Sequence, residues 1–415
     1  MFERPKGGER AIIVQLALPD LNVETAFAEF KELAASADAE IVATVRGTRA
    51  VPEAKYYVGL GKAEEISEQV LTHAADLVLV NHELSPSQER NLERLLQCRV
   101  VDRTGLILDI FAQRARTFEG KLQVELAQLQ HLSTRLVRGW THLERQKGGI
   151  GLRGPGEKQL ETDRRLLRER IKVIRKRLEK VRQNRDQVRK ARQKAAMPTI
   201  SLVGYTNAGK SSLFNALTGA EIYAADKLFA TLDPTMRKLE LPGSAAAMLT
   251  DTVGFIRDLP HQLVDAFHAT LEETKEADLL LHVIDVADPN WREHVNAVES
   301  VLKEIGADKI KRILVFNKID LQKNWQPQID CQDDYCKVWV SAATGAGLEL
   351  LREVIAQQLH GSVTEEEIFI ASDEAKLRAQ LYAAGAVLQE EILEGGWRLF
   401  IRLSAEEKQR LFRKQ

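Results

Sequence analysis

The chain has 415 residues, 44% of them hydrophobic, and a formal net charge of -1 at pH 7. This length suggests about three domains of roughly 150 residues each, and the ordinary apolar fraction favours a globular chain over a disordered one. The three cysteines (Cys98, Cys331 and Cys336) suggest neither a paired framework nor a zinc spacing, as is typical of the reducing cytosol. Because no apolar run could cross a membrane and the N-terminus lacks a signal peptide, we predict a soluble, cytoplasmic protein without stable membrane insertion.

The first part of the chain alternates strand-like and helix-like segments. Strands are predicted at 10–18, 40–48, 76–81 and 99–103, with helices at 22–37, 62–74 and 85–97 between them. This alternation predicts a small α/β domain with a mainly parallel sheet at residues 1–111. The string GLGK (59–62) lacks the full G-x-G-x-x-G pattern, so a tight turn before a helix is favoured there over a second nucleotide site.

A long helical segment follows at residues 112–196. Apolar residues repeat at three- and four-residue spacing from Leu122 to Leu143, and again from Leu167 to Val188. Between the two runs lies GGIGLRGPG (148–156), in which five of nine residues are glycine, so no helix continues through it. We therefore predict an antiparallel helical hairpin with a glycine-rich tip.

The second helix of this hairpin is strongly basic. Residues 164–194 contain fifteen lysines and arginines and only three acidic residues, although the whole chain is nearly neutral. A solvated helix face usually mixes both signs, so this bias favours contact with RNA phosphates, with a merely solvated face as the alternative. A glycine-rich tip can also approach a crowded RNA surface closely. The candidate RNA contacts at the tip are Arg153, Lys158, Arg164 and Arg165.

The string GYTNAGKS (204–211) follows the strand-like run TISLV and precedes the helical run SLFNALTG. It matches G-x-x-x-x-G-K-[ST] in its strand–loop–helix context, so its backbone N–H groups are expected to cradle phosphate oxygens. Lys210 is expected to bridge the β- and γ-phosphates, and the Ser211 hydroxyl to bind Mg²⁺. The phosphate-binding candidates are Gly204, Tyr205, Thr206, Asn207, Ala208, Gly209, Lys210, Ser211 and Ser212.

The string RILVFNKID ends a predicted strand with the N-K-x-D residues 317–320. The Asp320 carboxylate can accept hydrogen bonds from the N1–H and 2-amino groups of guanine, whereas adenine has neither donor on that edge. At roughly 1.5–3 kcal/mol per charged hydrogen bond, Asp320 would select guanine strongly. Lys318 is expected to pack along the P-loop and the base, and a backbone amide of SAATG (341–345) to meet guanine O6. The base-binding candidates are Asn317, Lys318, Asp320, Ser341, Ala342 and Ala343.

A third string, AMLTDTVGF (247–255), is an apolar strand ending in D-x-x-G. Asp251 is expected to hold Mg²⁺ through a water, and the Gly254 amide to sense the γ-phosphate. The order of these strings is specific to GTPases, and they resemble the translation-factor-related class. We therefore predict a domain at residues 197–361 that binds GTP and GDP and hydrolyses GTP with Mg²⁺.

The first switch (switch I) is assigned to LFATLDPT (228–235), where a threonine hydroxyl should close on Mg²⁺ and the γ-phosphate. The resemblance to related GTPases favours Thr231 for this role, with Thr235 as the alternative. The metal-ligand candidates are then Ser211, Thr231 and Asp251. The further nucleotide contacts in the two switches are Phe229, Ala230, Thr231, Thr252, Val253 and Gly254.

Two residues bear on the rate of hydrolysis. Phe255 follows Gly254, where Ras-like enzymes carry a glutamine, and phenylalanine cannot orient the attacking water by hydrogen bonding. Asn207 lies where several GTPases of this class use asparagine to hold K⁺, which would place positive charge near the phosphates. We expect slow basal hydrolysis that K⁺ and a binding partner accelerate; alternatively, Asn207 only stabilises the loop turn. The catalytic candidates are Asn207, Lys210, Thr231 and Gly254.

Most of the chain resembles the HflX family of ribosome-associated GTPases. The most specific residues are GGIGLRGPGEKQLETDRR (148–165), and YYVGLGKAEEI (56–66) and FATLDPT (229–235) are also similar. The family usually has threonine where this chain has Lys158. The resemblance implies binding to the large ribosomal subunit and its rRNA, with the hairpin tip reaching toward the peptidyl-transferase region. It also implies GTP-dependent separation of stalled or idle 70S ribosomes.

Two other functions stay open: a subunit-assembly or storage GTPase that splits nothing, and an RNA-binding or remodelling protein with incidental GTP turnover. We predict an α/β monomer in which the P-loop GTPase domain is preceded by the small α/β domain and the helical hairpin. A small α+β domain at 362–415 is expected to follow. It has predicted strands at 369–370 and 397–403, predicted helices at 372–382 and 405–413, and no evident chemistry.

Overall fold

The computed structural model describes residues 9–19, 23–138, 155–194, 197–220, 228–242, 246–257, 268–332, 335–360, 363–383, 385–393, 395–404 and 412. The helices are α1 (Val23–Ser36), α2 (Leu60–His73), α3 (Pro86–Leu96), α4 (Arg103–Arg114), α5 (Phe118–Arg138), α6 (Pro155–Lys194), α7 (Lys210–Thr218), α8 (His268–Lys275), α9 (Trp291–Glu304), α10 (Leu348–His360) and α11 (Ala375–Ala383). The strands are β1 (Arg10–Ala17), β2 (Glu40–Thr48), β3 (Leu77–Val80), β4 (Arg99–Asp102), β5 (Thr199–Gly204), β6 (Thr235–Glu240), β7 (Ala246–Asp251), β8 (Leu279–Asp285), β9 (Arg312–Asn317), β10 (Gln328–Asp330), β11 (Cys336–Trp339), β12 (Val363–Ala371), β13 (Val387–Leu393) and β14 (Gly396–Ser404). Across these ranges no helix combines the length and the apolar character that a bilayer crossing requires.

The N-terminal unit contains a four-stranded sheet in the order β2-β1-β3-β4, and each neighbouring pair is parallel. Every residue of β3 is buried, as expected for a parallel strand covered by helices. Helix α3 begins at a capping box formed by Ser85 and Gln88. Gly59 adopts a φ of 94° as the N-cap of α2, and the other three residues of GLGK belong to that helix, which begins two residues earlier than predicted. The predicted α/β fold is therefore confirmed, while the domain boundaries stay a prediction.

Helices α5 and α6 pack against each other as an antiparallel pair. The seam between them is apolar and contains Leu122, Leu126 and Ile174. Glu125 pairs with Arg170 at 2.6 Å, and Glu119 pairs with Arg185 at 2.8 Å. Because the partner's number rises on α6 as it falls on α5, the two helices run in opposite directions. The predicted tip between them lies, up to Gly154, outside the described residues.

The third unit is a seven-stranded sheet in the order β10-β11-β9-β8-β5-β7-β6. The central strands are parallel, and the edge strands β6 and β10 run antiparallel to their neighbours. Ligands of such sheets bind beyond the carboxyl ends of the parallel strands. The P-loop, D-x-x-G, N-K-x-D and SAATG strings all lie at this edge, because they occur at or directly after the ends of β5, β7, β9 and β11.

A continuous hydrophobic cluster joins the N-terminal unit to the seven-stranded unit. It includes Ile13 and Phe30 of the first unit together with Leu302 of α9. The rings of Phe111 in α4 and Phe229 in switch I meet edge to face, with centroids 4.6 Å apart. Switch I is therefore packed into a core that it shares with the N-terminal unit.

The C-terminal unit is an antiparallel sheet, β12-β14-β13, that packs against α11. The strands predicted at 369–370 and 397–403 and the helix predicted at 372–382 are present, although β12 begins earlier than expected. The sequence did not predict β13, because the glutamates and glutamine of VLQEEIL interrupt any apolar alternation. Apart from Phe412, the helix predicted at 405–413 lies outside the described residues.

The expectation that the cysteines stay unpaired is wrong for two of them. Cys331 follows β10, Cys336 begins β11, and a disulfide joins them with their Cα atoms 4.1 Å apart. Because the two strands are antiparallel neighbours, these positions face each other across the hairpin. The sequence argument counted cysteines along the chain and did not consider a local hairpin. Cys98 is a free, half-buried thiol.

Candidate active site

The P-loop begins at the carboxyl end of β5 and leads into α7, as predicted. Gly209 adopts a φ of 89°, and a Cβ atom there would lie 2.3 Å from Nδ2 of Asn317, so only glycine fits. Helix α7 starts at the next residue, and the first N–H groups of a helix have no partner within that helix. The loop therefore presents backbone donors and a positive helix end, a geometry that suits phosphate oxygens.

The Lys210 side chain is buried inside the P-loop. Its ammonium group donates hydrogen bonds to the carbonyl oxygens of Gly204 (3.1 Å) and Tyr205 (2.7 Å). Burial lowers the pKa of Lys210 to about 8, and the nearby Asp251 carboxylate opposes this shift. Gly254 lies against the same group, since a Cβ atom there would come within 3.1 Å of the Lys210 Nζ. The D-x-x-G segment and the P-loop lysine therefore belong to one site.

Three oxygen-bearing side chains meet beside this lysine. The Ser211 Oγ lies 2.7 Å from the Thr231 Oγ1 and donates a 2.8 Å hydrogen bond to the Asp251 Oδ2. The other carboxylate oxygen of Asp251 is buried without a hydrogen-bond partner in the described part of the chain. Burial raises the pKa of Asp251, whereas the hydrogen bond from Ser211 and the charge of Lys210 lower it.

This donor set fits Mg²⁺, which binds hard oxygen ligands and usually retains several waters. A cation at this point would satisfy the orphaned Asp251 oxygen and favour the ionised carboxylate. The alternative switch residue, Thr235, begins β6 and pairs with Asp251 across the sheet edge. It is Thr231, therefore, whose hydroxyl the structure places beside Ser211.

The two base-binding loops contact each other at the surface. Asp320 is exposed, and its Oδ1 accepts a 2.5 Å hydrogen bond from the Ser341 hydroxyl. The ammonium group of Lys318 forms an ion pair with Asp285 at 2.6 Å, at the end of β8. Ala342 and Ala343 continue the second loop and are at least partly exposed. The N-K-x-D and SAATG segments thus lie side by side, as the order of the motifs predicts.

Asn317 joins the phosphate loop to the base loop. Its Nδ2 group donates a 2.9 Å hydrogen bond to the carbonyl oxygen of Ala208, and its Oδ1 accepts a 3.0 Å bond from the Ala342 amide. Both ends of this buried amide are engaged with backbone groups. Asn317 therefore sets the relative position of the two loops.

Phe255 points away from the phosphate region. Its side chain is buried in the core, its N–H donates to the Gly204 carbonyl at 3.1 Å, and its carbonyl accepts from the Thr206 amide at 2.7 Å. It therefore does not occupy the place of a water-orienting side chain. Asn207 is half-buried with a φ of 61°, a left-handed conformation that asparagine tolerates well. This conformation is compatible with either role considered for Asn207.

Sequence reasoning missed a network behind the P-loop. The Tyr205 hydroxyl donates to Glu29 of α1 and accepts a 2.9 Å hydrogen bond from the Arg257 amide. Arg103 pairs with the same glutamate and donates to the Arg257 carbonyl at 3.0 Å. Burial and the charge of Glu29 raise the pKa of Tyr205. No sequence signal marks Glu29 or Arg103, because their partners lie far along the chain.

Two cavities flank the P-loop. The smaller, of about 60 Å³, is lined by Lys210, Ser211 and Thr231 among others. The larger, of about 370 Å³, lies between α1, the P-loop and α9, where the rings of Tyr205 and His294 stack 3.9 Å apart. We assign the chemistry to the smaller cavity, because of the two only this one is lined by Lys210 and by two of the three metal-ligand candidates, Ser211 and Thr231.

Two of the four candidate RNA contacts have side chains in the described part of the chain. Arg153 and the side chain of Lys158 are outside the described residues. Arg164 is half-buried in the first part of α6. Arg165 is 71% exposed and lies 4.0 Å from Glu169. Of the two described candidates, Arg165 is thus the exposed one.

Sequence models of four protein families match consecutive parts of the chain. They describe a GTP-binding GTPase N-terminal region (24–112), a GTP-binding GTPase middle region (114–192), a 50S ribosome-binding GTPase (199–318) and an HflX C-terminal domain (330–415). The last match begins inside the range predicted for the GTPase domain.

Two relatives that match nearly the whole chain agree with these matches. The GTPase HflX of Escherichia coli (strain K12) is 54% identical over 398 residues, covering 95% of this chain and 93% of that protein. The GTPase HflX of Magnetococcus marinus is 46% identical over 404 residues, covering 95% and 92%. A crystal structure of a GTP-binding protein from Sulfolobus solfataricus in complex with GDP is 26% identical, covers 85% of this chain and 98% of that one, and has a TM-score of 0.45. With the four nucleotide motifs at one sheet edge, the chain belongs to the HflX family of P-loop GTPases and hydrolyses GTP to GDP and phosphate.

Proposed function

We propose that this GTPase binds the large ribosomal subunit and uses GTP-driven switching to split or rescue stalled or idle 70S ribosomes. The observation that carries this proposal is the charge of α6, a 40-residue helix. Between positions 164 and 194 it contains fifteen basic residues and only three acidic ones. Such a helix is about 60 Å long, and its basic side chains can neutralise rRNA phosphates along that length. The match of residues 199–318 to a family described as 50S ribosome-binding GTPases supports the same partner.

The nucleotide contacts follow from the site geometry. We infer that Lys210 exchanges its hydrogen bonds to the loop carbonyls for the β- and γ-phosphates, which would raise its lowered pKa again. Ser211, Thr231 and Asp251 would hold Mg²⁺, which supplies charge neutralisation at the phosphates. The Gly254 amide, which lies close to the Lys210 ammonium group, would contact the γ-phosphate.

The N-K-x-D and SAATG loops are proposed to recognise guanine. The Asp320 carboxylate would accept hydrogen bonds from the N1–H and 2-amino groups of the base, and the hydrogen bond from Ser341 would hold that carboxylate in place. Asn317 keeps the loop of Ala342 at a fixed distance from the P-loop, so that one nucleotide can reach both. Lys318 pairs with Asp285 and lies close to Gly209 of the P-loop, from where it would pack along the base.

Hydrolysis is proposed to be slow until the partner binds. Phe255 is turned into the core, so it cannot orient the attacking water. Asn207 is proposed to hold K⁺ near the phosphates, where the ion would take the place of an arginine finger. In the GTP state, Thr231 and Gly254 would be held by the metal and the γ-phosphate. Hydrolysis would release both switches and with them the ribosome.

Sedimentation of purified 70S ribosomes tests the splitting step. The ribosomes are incubated at physiological salt with the protein and either GTP or a non-hydrolysable GTP analogue. We expect this to move material from the 70S peak to the 50S and 30S peaks. The Lys210→Ala variant serves as the control and should leave the 70S peak intact. Association with 50S particles without any loss of 70S would instead support an assembly or storage factor.

A further inference from the structure

The side chain of Asp233 reaches out of the GTPase domain. This residue belongs to switch I and follows Thr231 by two positions. Its Oδ2 atom accepts hydrogen bonds from the backbone amides of Arg116 and Thr117, each at 2.9 Å. Its Oδ1 atom accepts a further bond from the Thr117 hydroxyl. All three donors lie directly before α5, the first helix of the hairpin.

Asp233 binds the two residues that lead into α5, which begins at Phe118. A carboxylate at this end of a helix is also favoured by the helix dipole. The Thr117 hydroxyl caps the helix locally by accepting a 2.9 Å bond from the Gly120 amide. A Cβ atom at Gly120 would lie 2.1 Å from the Asp233 Oδ1, so a larger residue could not pack there without displacing the carboxylate. The surface of α5 is therefore shaped to receive Asp233.

The beginning of switch I is held by the same part of the molecule. The Leu228 amide donates a 3.1 Å hydrogen bond to the Ser36 hydroxyl at the end of α1. Phe229, whose ring meets Phe111 of α4, has a φ of 55°, which is costly for a bulky residue and persists only where the surroundings impose it. Both ends of the segment 228–233 are thus anchored outside the GTPase domain.

The first turn of α5, next to the residues that bind Asp233, is held in turn by the basic helix α6. Glu119, in the first turn of α5, forms a 2.8 Å ion pair with Arg185 of α6. Burial raises the pKa of Glu119, the charge of Arg185 lowers it, and the charges of Asp233 and Glu273 raise it further. The first turn of α5 is therefore the point at which switch I and the basic helix α6 meet.

We propose that Asp233 is a positioning residue for GTP hydrolysis. By binding the two residues directly before α5, it holds switch I so that the Thr231 hydroxyl lies 2.7 Å from the Ser211 hydroxyl in the metal-ligand cluster. The helical hairpin then completes the active site from outside the GTPase domain. This inference rests on the proposed role of Thr231, and it predicts an effect confined to the GTP state, because GDP lacks the γ-phosphate that Thr231 approaches.

The test compares full-length variants under identical Mg²⁺ and K⁺ conditions. Asp233→Ala removes both acceptors, Asp233→Asn retains one acceptor oxygen, and Thr117→Ala removes the partner hydroxyl. Thr231→Ala is the reference for loss of the switch hydroxyl. Ser85→Ala is the matched control, since it removes the N-cap of α3 without touching a switch. The readouts are kcat and KM for GTP hydrolysis, and the Kd values of GDP and of a non-hydrolysable GTP analogue.

Asp233→Ala is expected to lower kcat by about tenfold or more and to weaken analogue binding about fivefold, with the Kd of GDP changed by less than about twofold. Asp233→Asn should give an intermediate kcat. Thr117→Ala should lower kcat less than Asp233→Ala, because it leaves the two backbone hydrogen bonds to Asp233 in place. The double variant should have a kcat close to that of Asp233→Ala alone, because the Thr117 hydroxyl affects switch I only through Asp233. Ser85→Ala should keep the wild-type kcat.

An unchanged kcat in Asp233→Ala would overturn the inference. So would equal losses of GDP and analogue affinity, because these would indicate general damage to the domain, or an equal loss of kcat in Ser85→Ala. If Thr231→Ala keeps the wild-type rate, the proposed role of Thr231 fails and the inference fails with it. If Thr231→Ala is impaired while Asp233→Ala is not, only the inference fails.

Discussion

The hydroxyl of Tyr205 in the P-loop donates a hydrogen bond to the carboxylate of Glu29 in α1, 176 positions away in the sequence. The same buried carboxylate pairs with Arg103, and both Tyr205 and Arg103 bind the backbone of Arg257, which follows the D-x-x-G motif. Through these contacts, the N-terminal unit touches the phosphate loop and the second switch together. With the Asp233 contact, both switches are held by elements outside the GTPase domain.

Glu29→Gln is expected to destabilise the protein strongly. The substitution leaves the buried Arg103 guanidinium without its counterion, and breaking a buried ion pair from one side costs about 3–5 kcal/mol. Urea unfolding of the full-length protein measures the change. Glu24→Gln on the same helix is the control, because Glu24 is 77% exposed in its pair with Arg46 and should contribute less than about 1 kcal/mol. Equal unfolding midpoints for the two variants would contradict this account.

The parts of the site that could be predicted from the sequence are those built from motifs that are contiguous along the chain. Ser211, Asp251 and Asp320 each follow a recognisable strand, and the parallel sheet brings strand ends to one edge, so motif order alone predicts their proximity. The contacts of Asp233 with Thr117 and of Tyr205 with Glu29 have no such local signature, because they depend on how separate units pack. The same limit applies to Cys331 and Cys336, which meet only because β10 and β11 form a hairpin.

Asp320→Asn is expected to change the base preference from guanine toward xanthine. An amide at this position offers a donor where the 2-amino group of guanine needs an acceptor, while the 2-oxo group of xanthine accepts that donor. Loss of one charged hydrogen bond of roughly 1.5–3 kcal/mol should weaken GTP binding by about 10- to 100-fold. Competition binding with GTP and XTP measures the change. Asp330→Asn is the control, because Asp330 pairs with Lys337 at the surface and its loss should leave GTP affinity unchanged. An unchanged GTP affinity in Asp320→Asn would show that Asp320 does not recognise the base.

His282 is expected to make stability depend on pH. Burial, aided by the charges of Arg312 and Lys210, lowers the pKa of His282 to about 3. Since an unfolded histidine titrates near pH 6.5, its contribution is complete above about pH 6.5 and is lost as the pH falls from there toward about 3. Wild-type protein should lose about 1 kcal/mol more than His282→Gln between about pH 6.5 and 5.5, because the unfolded histidine is only half protonated at the upper end of this range. Parallel pH dependences in urea unfolding would argue against a neutral, buried imidazole.

Potassium is expected to accelerate GTP turnover through Asn207. In the presence of large ribosomal subunits, turnover in K⁺ buffer should exceed turnover in Na⁺ buffer, because the smaller ion fits the proposed site poorly. Asn207→Ala should remove most of this difference while GDP still binds. Equal turnover in the two salts would show that Asn207 does not hold K⁺. Its role would then be only to stabilise the loop turn, where it adopts a φ of 61°.

The most direct test of the account is GTP hydrolysis in K⁺ buffer, measured for the protein alone and with purified 50S, 30S or 70S particles. Because Phe255 is buried in the core and the hairpin contacts switch I, we predict that 50S particles raise turnover by about tenfold or more, whereas 30S particles do not. Equally slow turnover under every condition would contradict the ribosomal assignment and leave a GTPase whose basic helix serves another partner.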